Sequence, residues 1–403
     1  MSRCYFAWTF GWLLLSGLCL SSAVAKEPAP GLPIVAPTEA GLDAAKLAQI
    51  KERMAGYVKE HQLAGAVTLV ARQGKIVHLE AIGEADIEAH RALQTDALFS
   101  IASMTKPITG AALMILVDEG KVALDDPISK YLPEFKEVKF ASGDKPQREI
   151  TLRDVVTHTS GVVGDQGTMG TLRETAQKLA ARPLGFQPGE KFQYSPGLSI
   201  AGAVIEVAAG LPYEKFLETR IFAPLGMRDT TFHPNTAQAA RLAKLYQQNK
   251  DKSALEPAKS WINEVSATRT PNPSGGLFST APDIARFYQM LLNRGEFGGQ
   301  RILSEKAVAE FSKIHTGDLN TAFTPGNGWG VGCCVVNKPQ GVTGMLSPGT
   351  FGHGGAFGTQ SWADPEKQMI FVLMIQRSGL PNGDASDMRK DLQTLAAEAI
   401  TKK

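Results

Sequence analysis

Cysteine is scarce in this chain: four occur in 403 residues, as Cys4, Cys19, Cys333 and Cys334. Successive side chains of a strand point to opposite faces, so the adjacent Cys333 and Cys334 are poorly placed to bond to each other. The fold is therefore not framed by disulfides, and this pair reads as buried thiols in a strand. Metal motifs are lacking too: the seven histidines include no His-Glu-x-x-His, and no Cys/His cluster has ligand spacing. Walker and dinucleotide glycine patterns are absent, so no cofactor is expected. No run of lysine and arginine appears and the formal net charge is only +2, which leaves a polyanion such as nucleic acid without support as a partner. Internal repeats are absent as well.

What is present begins with an export pattern. Arg3 supplies a basic start, Tyr5 to Leu20 is mostly apolar, and Ala23-Val24-Ala25 offers small residues for cleavage. An uncleaved anchor is the rival reading, because residues 4–25 carry no charge. The apolar core is short, and bulky Leu18 before Cys19 disfavours a lipoprotein. Cleavage after Ala25 is expected, with Lys26 first in a periplasmic or secreted protein that has no stable membrane insertion afterwards.

Residues 26–40 read as an extended lead-in rich in Pro, Ala and Gly. Asp43 to Gln62 reads as a helix, with Leu47, Ile50, Met54, Tyr57 and Val58 on one face. Strands at about 66–72 and 76–82 flank Gln73-Gly74, a hairpin signal. From about 121 to 274 short helical patterns (Thr151–Thr157, Thr171–Ala180, Leu198–Ala209, Tyr213–Ile221) alternate with Pro- and Gly-rich loops. After Gly275-Gly276 come helices at Ala281–Arg294 and Glu305–Ile314, then strands near 329–336, 357–363 and 368–376. Asp364-Pro365-Glu366-Lys367 marks a second hairpin, and a final helix covers about 384–400. The expected fold class is α+β: an antiparallel sheet flanked by helices, with a mostly helical inserted lobe. The division is 1–25 leader, 26–120 with 275–403 as the α/β lobe, and 121–274 as the helical lobe, with substrate in a cleft between lobes.

One short motif carries chemistry. In Ser103-Met104-Thr105-Lys106 a serine and a lysine three positions apart share a helix face. An adjacent base is the usual remedy for a weak hydroxyl nucleophile. Ile108, Ala111, Ala112, Ile115 and Leu116 follow at helical spacing, and Gly120 is a C-terminal stop. Pro107 is tolerable only in a first turn, so the helix should begin near Met104. By itself Ser103 could be a plain helix cap. A second Ser-x-x-Lys, Ser142 to Lys145, lies in a Gly/Asp/Pro turn and reads as coincidence.

Two further segments could join the first: Tyr194-Ser195-Pro196, and His353-Gly354-Gly355 leading into a strand. Together the three, in this order, resemble the serine β-lactamase-like family, which takes in class C β-lactamases, D-Ala-D-Ala carboxypeptidases, D-aminopeptidases and related esterases. The resemblance extends through Leu152–Gly161, Pro224-Leu225-Gly226-Met227 and Gly275–Ala281 and covers nearly the whole mature chain. It implies a β-lactamase/transpeptidase-like fold and roles for matching residues. Ser103 would be the nucleophile that forms an acyl-enzyme, and Lys106 with Tyr194 the base system. Backbone N–H groups of Ser103 and Ala356 would form the oxyanion hole, beside His353, Gly354 and Gly355. Tyrosine has an ordinary pKa of about 10, so it needs nearby positive charge to act as a base; which of Lys106 and Tyr194 takes the proton is open.

Two departures bear on the substrate. Relatives acting on β-lactams usually have asparagine two positions after the tyrosine, where this chain has Pro196. His353 stands where many have lysine, and a histidine is mostly neutral at pH 7. Both weaken the β-lactamase reading. The expected activity is hydrolysis of carboxylic esters, or amides, on Ser103; D-aminopeptidase, D,D-carboxypeptidase and β-lactamase are the alternatives, and a catalytically idle binding relative is a further one. The partner is a small-molecule ester or peptide, cell-wall-derived peptides included. Among other residues, His158 is expected to hold its loop by hydrogen bonds. Ser199, although it resembles a nucleophile elbow, is expected to be an ordinary helical residue. Trp329 and Trp362 suit either pocket or core, and Arg377 is expected in a surface salt bridge rather than on a substrate carboxylate.

Overall fold

The computed structural model describes residues 1–2, 31–165, 167–168, 170–321 and 324–401. Residues 3–25 of the expected leader, with Cys4, Cys19 and the cleavage site, lie outside them. Among the described residues no helix is long and apolar enough to cross a membrane.

Helix α1 (Ala44–Lys59) starts where Asp43 accepts the N–H groups of Ala45 and Lys46, and it buries Leu47, Ile50, Met54 and Tyr57. Strands β1 (Gly65–Arg72) and β2 (Lys75–Asp86) follow. Gln73 and Gly74, at φ 53° and 79°, make the tight turn between them. β3 (Arg91–Ala92) pairs with β2. The rest of the sheet comes from the far end of the chain: β4 (Asn327–Trp329), β5 (Cys334–Val336), β6 (Phe351–Gly354), β7 (Gln360–Asp364) and β8 (Met369–Met374). Among the described residues the order is β4-β5-β6-β7-β8-β1-β2-β3, antiparallel throughout.

The join between β8 and β1, with Val67 opposite Met374, unites the two ends of the sequence in one sheet. Alternation then assigns each side chain to a layer. Val67, Leu69, Ile370, Val372 and Met374 face one core with α2 (Thr105–Asp118) and α6 (Ala281–Leu292). Ala66, Val70, Met369, Phe371 and Leu373 face the other, with α1 and α7 (Asp387–Glu398). Covered on both sides, β8 reads as an uninterrupted apolar run. Each large aliphatic or aromatic side chain so buried contributes about 1.5–3 kcal/mol.

Several expected boundaries move. The strand placed at 329–336 is a hairpin, β4 and β5, turned at Gly330–Gly332, where Gly332 has φ 72°. The strand placed at 357–363 starts at Gln360, because Gly355–Gly358 form a turn that ends with Gly358 at φ 82°. His353 and Gly354 lie inside β6 rather than before a strand. The last helix starts at Asp387, capped by Ser386, after a single 3-10 turn at Gly383–Ala385. Between residues 121 and 274 lie α3 (Leu152–Val156), α4 (Leu172–Ala180) and α5 (Gly197–Ala209), further short helices, and a small ribbon of Tyr246–Gln248 with Leu255–Pro257.

Candidate active site

Ser103 is placed by backbone strain. Ile101 donates its N–H to Leu277 O at 3.0 Å. The chain then turns through Ala102 at φ 44°, a left-handed conformation costly for a residue with a Cβ. Ser103 follows in the 3-10 turn Ala102–Met104 that runs into α2. Pro107 is the third residue of α2, where no intrahelical N–H is needed. All residues of α2 from Thr105 to Leu116 are buried, so the helix that carries the motif is a central, packed element. Its close fit shows at Gly110, where a Cβ would lie 2.2 Å from Val331 O.

Lys106 is fully buried. Its Nζ lies 3.2 Å from Ser103 Oγ and 2.5 Å from Ser274 O. Burial dominates its ionisation and brings the amine down to about 7, against smaller opposing effects of Asp384 and Cys334. Tyr194 donates its hydroxyl to Ser103 Oγ at 2.8 Å, and its ring lies 4.6 Å from Lys106 Nζ. Burial pushes the Tyr194 phenol well above its ordinary value; the bond to Ser103 opposes this and the negative charge of Asp384 adds to it. The two groups therefore divide the work: near neutrality the amine can be free of its proton, while the phenol keeps its own.

His158 and Trp329 seat Tyr194. His158, at φ 61°, accepts the Ser195 N–H on Nδ1 at 3.1 Å and stacks 4.6 Å from the Tyr194 ring, so it does hold its loop by hydrogen bonding. Trp329, buried, packs against His158, Tyr194 and His353 at 4.9, 6.0 and 5.4 Å. Pro196 is the residue from which α5 starts. Ser199 sits inside α5 with Oγ 2.9 Å from Ser274 Oγ, buried beneath the site rather than in it.

His353 is buried, with Nδ1 2.5 Å from Gly354 O. Burial first, and the charge of Lys106 second, lower it to about 4, so the ring is neutral at pH 7. Ser103, Tyr194, His353, Gly354, Gly355 and Ala356 line one cavity of about 370 Å³, closed on the far side by residues 381–384. Lys106 backs it without lining it. A larger cavity of about 720 Å³, near Glu214, Phe222 and His233, contains none of these residues. Among the described residues no group of three or more metal-ligating side chains occurs.

Ser142 bonds Asp144 and Lys145 pairs with Glu137, both exposed and away from the cavity. Cys333 and Cys334 are free and buried. Trp362 is a core residue, with the Arg389 guanidinium 3.9 Å above its ring. Arg377 departs from expectation: it is buried and bonds Gln62 O, Ser378 O and Gln248 Oε1 rather than a carboxylate. Sequence reasoning missed Ser274, although it directly precedes the noted Gly275-Gly276. It also misses Asp384, which falls at the start of the expected last helix and has no motif of its own.

The chain matches the Beta-lactamase family over residues 50–396. It is 32% identical to esterase EstB of Burkholderia gladioli, over 84% of this chain and 92% of that protein. It is 30% identical to a Salmonella agona protein provisionally named a D-alanyl-D-alanine carboxypeptidase, over 87% of each. The solved structure of EstCE1, a hydrolase with promiscuous acyltransferase activity, superimposes with a TM-score of 0.75 at 25% identity, covering 88% of this chain and 97% of that one. With this fold and these relatives, the chain belongs to the Beta-lactamase family and is a serine hydrolase.

Proposed function

We propose that the protein hydrolyses carboxylic esters through an acyl-enzyme on Ser103. The observation that carries this reading is the position of Ser103 Oγ, 2.8 Å from the Tyr194 hydroxyl and 3.2 Å from Lys106 Nζ. Unprotonated Lys106 takes the hydroxyl proton as Oγ attacks the carbonyl carbon. Tyr194 donates a hydrogen bond to the reacting oxygen, then gives its proton to the departing alkoxide and regains one from Lys106. Water enters by the reverse route and releases the acid. The oxyanion rests on the N–H groups of Ser103 and Ala356; a donor of this kind is worth about 2.7–4 kcal/mol of barrier. All of these steps use the chain's own groups.

An ester is favoured over a β-lactam or D,D-peptide for two reasons. Pro196 offers no side-chain amide to hold a substrate amide, and His353, neutral in its buried setting, offers no charge to a substrate carboxylate. The likeness to EstB, named an esterase, points the same way. The helical segment 121–274 and the α/β remainder serve as the two lobes around the substrate. The leader directs export, with Lys26 first in a periplasmic or secreted protein, which intact-mass measurement would read directly.

The test is a panel of a p-nitrophenyl ester, nitrocefin and a D-alanyl peptide, run with fluorophosphonate labelling of wild type and Ser103→Ala. Burst release from the ester, little turnover of the other two and loss of labelling in the variant are expected. Undiminished labelling of Ser103→Ala would remove the assignment of the nucleophile; preferred cleavage of nitrocefin or the peptide would move the substrate to that class.

A further inference from the structure

We infer that the catalytic cavity selects substrates carrying a cationic group, held by Asp384, and turns away those carrying a carboxylate. This deepens the ester-hydrolase reading and rests on it.

Among the described residues Asp384 is the one carboxylate lining the cavity of Ser103, Tyr194 and His353. Its place is built into the fold. A Cβ at position 354 would fall 1.9 Å from Asp384 Oδ1, so the carboxylate occupies space that β6 leaves open only because residue 354 is glycine. Gln360 Nε2 reaches Oδ1 at 3.3 Å, Asp384 N–H donates to Asn382 Oδ1 at 3.0 Å, and the Asp384 carbonyl accepts from Arg389 at 2.5 Å. The last two bonds hold the backbone of Asp384, and the Gln360 bond holds its carboxylate against the strand that carries His353.

Its charge is not matched at short range. Among the described residues no Lys, Arg or His nitrogen lies within 4.0 Å of its carboxylate oxygens. Arg389 and Lys106 are the nearby cations, and both are fully buried. Arg389 lies on the Trp362 ring and spends one nitrogen on the Asp384 carbonyl rather than its carboxylate. Lys106 is largely neutral above pH 7, and His353 is neutral throughout that range. Tyr194 and Cys334 are held protonated by burial. Arg377, Lys252 and Asp387 border a neighbouring cavity beyond Pro381 and Asn382. What the Ser103 cavity presents is therefore a negative group in a partly desolvated setting. Attraction or repulsion of a unit charge at about 4–6 Å there is worth about a tenfold change in rate, or more.

The test uses two matched ester series at pH 8.5. In the first, the charge sits in the leaving group: acetylthiocholine, its neutral carbon isostere S-(3,3-dimethylbutyl) thioacetate, and S-(2-carboxyethyl) thioacetate. In the second, it sits in the acyl group: p-nitrophenyl 6-(trimethylammonio)hexanoate, hexanoate and monoadipate. In at least one series kcat/KM should run cationic, neutral, anionic, with about tenfold between the first two. Asp384→Asn keeps an oxygen for Gln360 and should reduce that ratio to about twofold or less; Asp384→Ser, checked for thermal unfolding, should do the same. The neutral ester absorbs any change in Lys106. Equal or better turnover of neutral esters in both series, or a cation preference that survives both substitutions, overturns the inference. A separate arm titrates acetylthiocholine into Ser103→Ala by calorimetry, with and without Asp384→Asn. Equal binding there overturns the cation site whatever the chemistry, whereas failure of Ser103 to label with a neutral fluorophosphonate defeats the hydrolase reading alone.

Discussion

The Lys106 amine ends 2.5 Å from the Ser274 carbonyl oxygen, and that contact aims a fully buried side chain at Ser103. Ser274 is itself fixed by a bond from its N–H to Asn272 Oδ1 at 2.8 Å. A carbonyl stabilises the amine without supplying a negative charge, so burial decides the ionisation and the amine sits at about 7.

The pH dependence of activity follows. Ester turnover should rise through pH 7 as Lys106 loses its proton. The Asp384 carboxylate raises this value, so Asp384→Asn should move the acid limb to lower pH. A pH–kcat/KM profile with the neutral ester measures both.

Stability should show the same group with a definite sign. Lys106 is lowered in the folded state from an ordinary 10.5 to about 7. Below 7 both states bind the proton and the folded state bears the full penalty of a buried charge. Between 7 and 10.5 the unfolded state binds more protons, so stability rises with pH. Denaturant titrations of wild type and Lys106→Met should show the variant more stable at pH 6, by a few kcal/mol, with the gap narrowing by pH 10.

Tyr194→Phe keeps the ring packed against His158 and Trp329 and removes only the hydroxyl. A loss of about 10²–10⁴ in kcat is expected with little change in Tm, as read by steady-state kinetics and thermal unfolding.

His158 acts through Tyr194. His158→Ala leaves the buried Ser195 N–H without its acceptor, at a cost of about 1–3 kcal/mol, and frees the tyrosine ring. Tm and the rate of Ser103 labelling should fall together. His158→Asn, which tolerates the left-handed backbone but lacks the ring, should recover more of the stability than of the labelling rate.

Two glycines should respond oppositely to alanine. At Gly110 the new Cβ meets Val331 O at 2.2 Å, so α2 must shift. Overpacking of this kind costs about 1–3 kcal/mol, and labelling should slow because Ser103 and Lys106 ride on that helix. At Gly56 in α1 a Cβ would meet nothing within 4 Å among the described residues, and alanine should stabilise by about 0.5–1 kcal/mol. Denaturant midpoints distinguish the two.

Much of this molecule is legible along the chain. Helical spacing located α1, α2, α5 and α6 because each buries one face or all faces, and Gln73-Gly74 and Asp364-Pro365-Glu366-Lys367 marked hairpins because tight turns need particular residues. The order of Ser103-x-x-Lys106, Tyr194 and His353-Gly354-Gly355 pointed to one site. The β4–β5 hairpin looks like a single strand in the sequence because Val331 to Val336 is apolar throughout, so no polar break marks the turn. Arg377 looks like a surface ion-pair residue in the sequence because nothing local shows that its partners are carbonyl oxygens from Gln62 and Ser378.

By itself the sequence determined most of the elements, the family and the motif residues Lys106, Tyr194 and His353 that gather around Ser103, since periodicity, turn chemistry and short motifs are local properties. Only the tertiary structure decided how these residues are charged and what else faces them. Burial of Lys106 under Ser274, and the carboxylate of Asp384 laid over Gly354, depend on segments brought together from across the chain. Desolvation and Coulomb interaction are set by distances in space, and the order of residues does not record them.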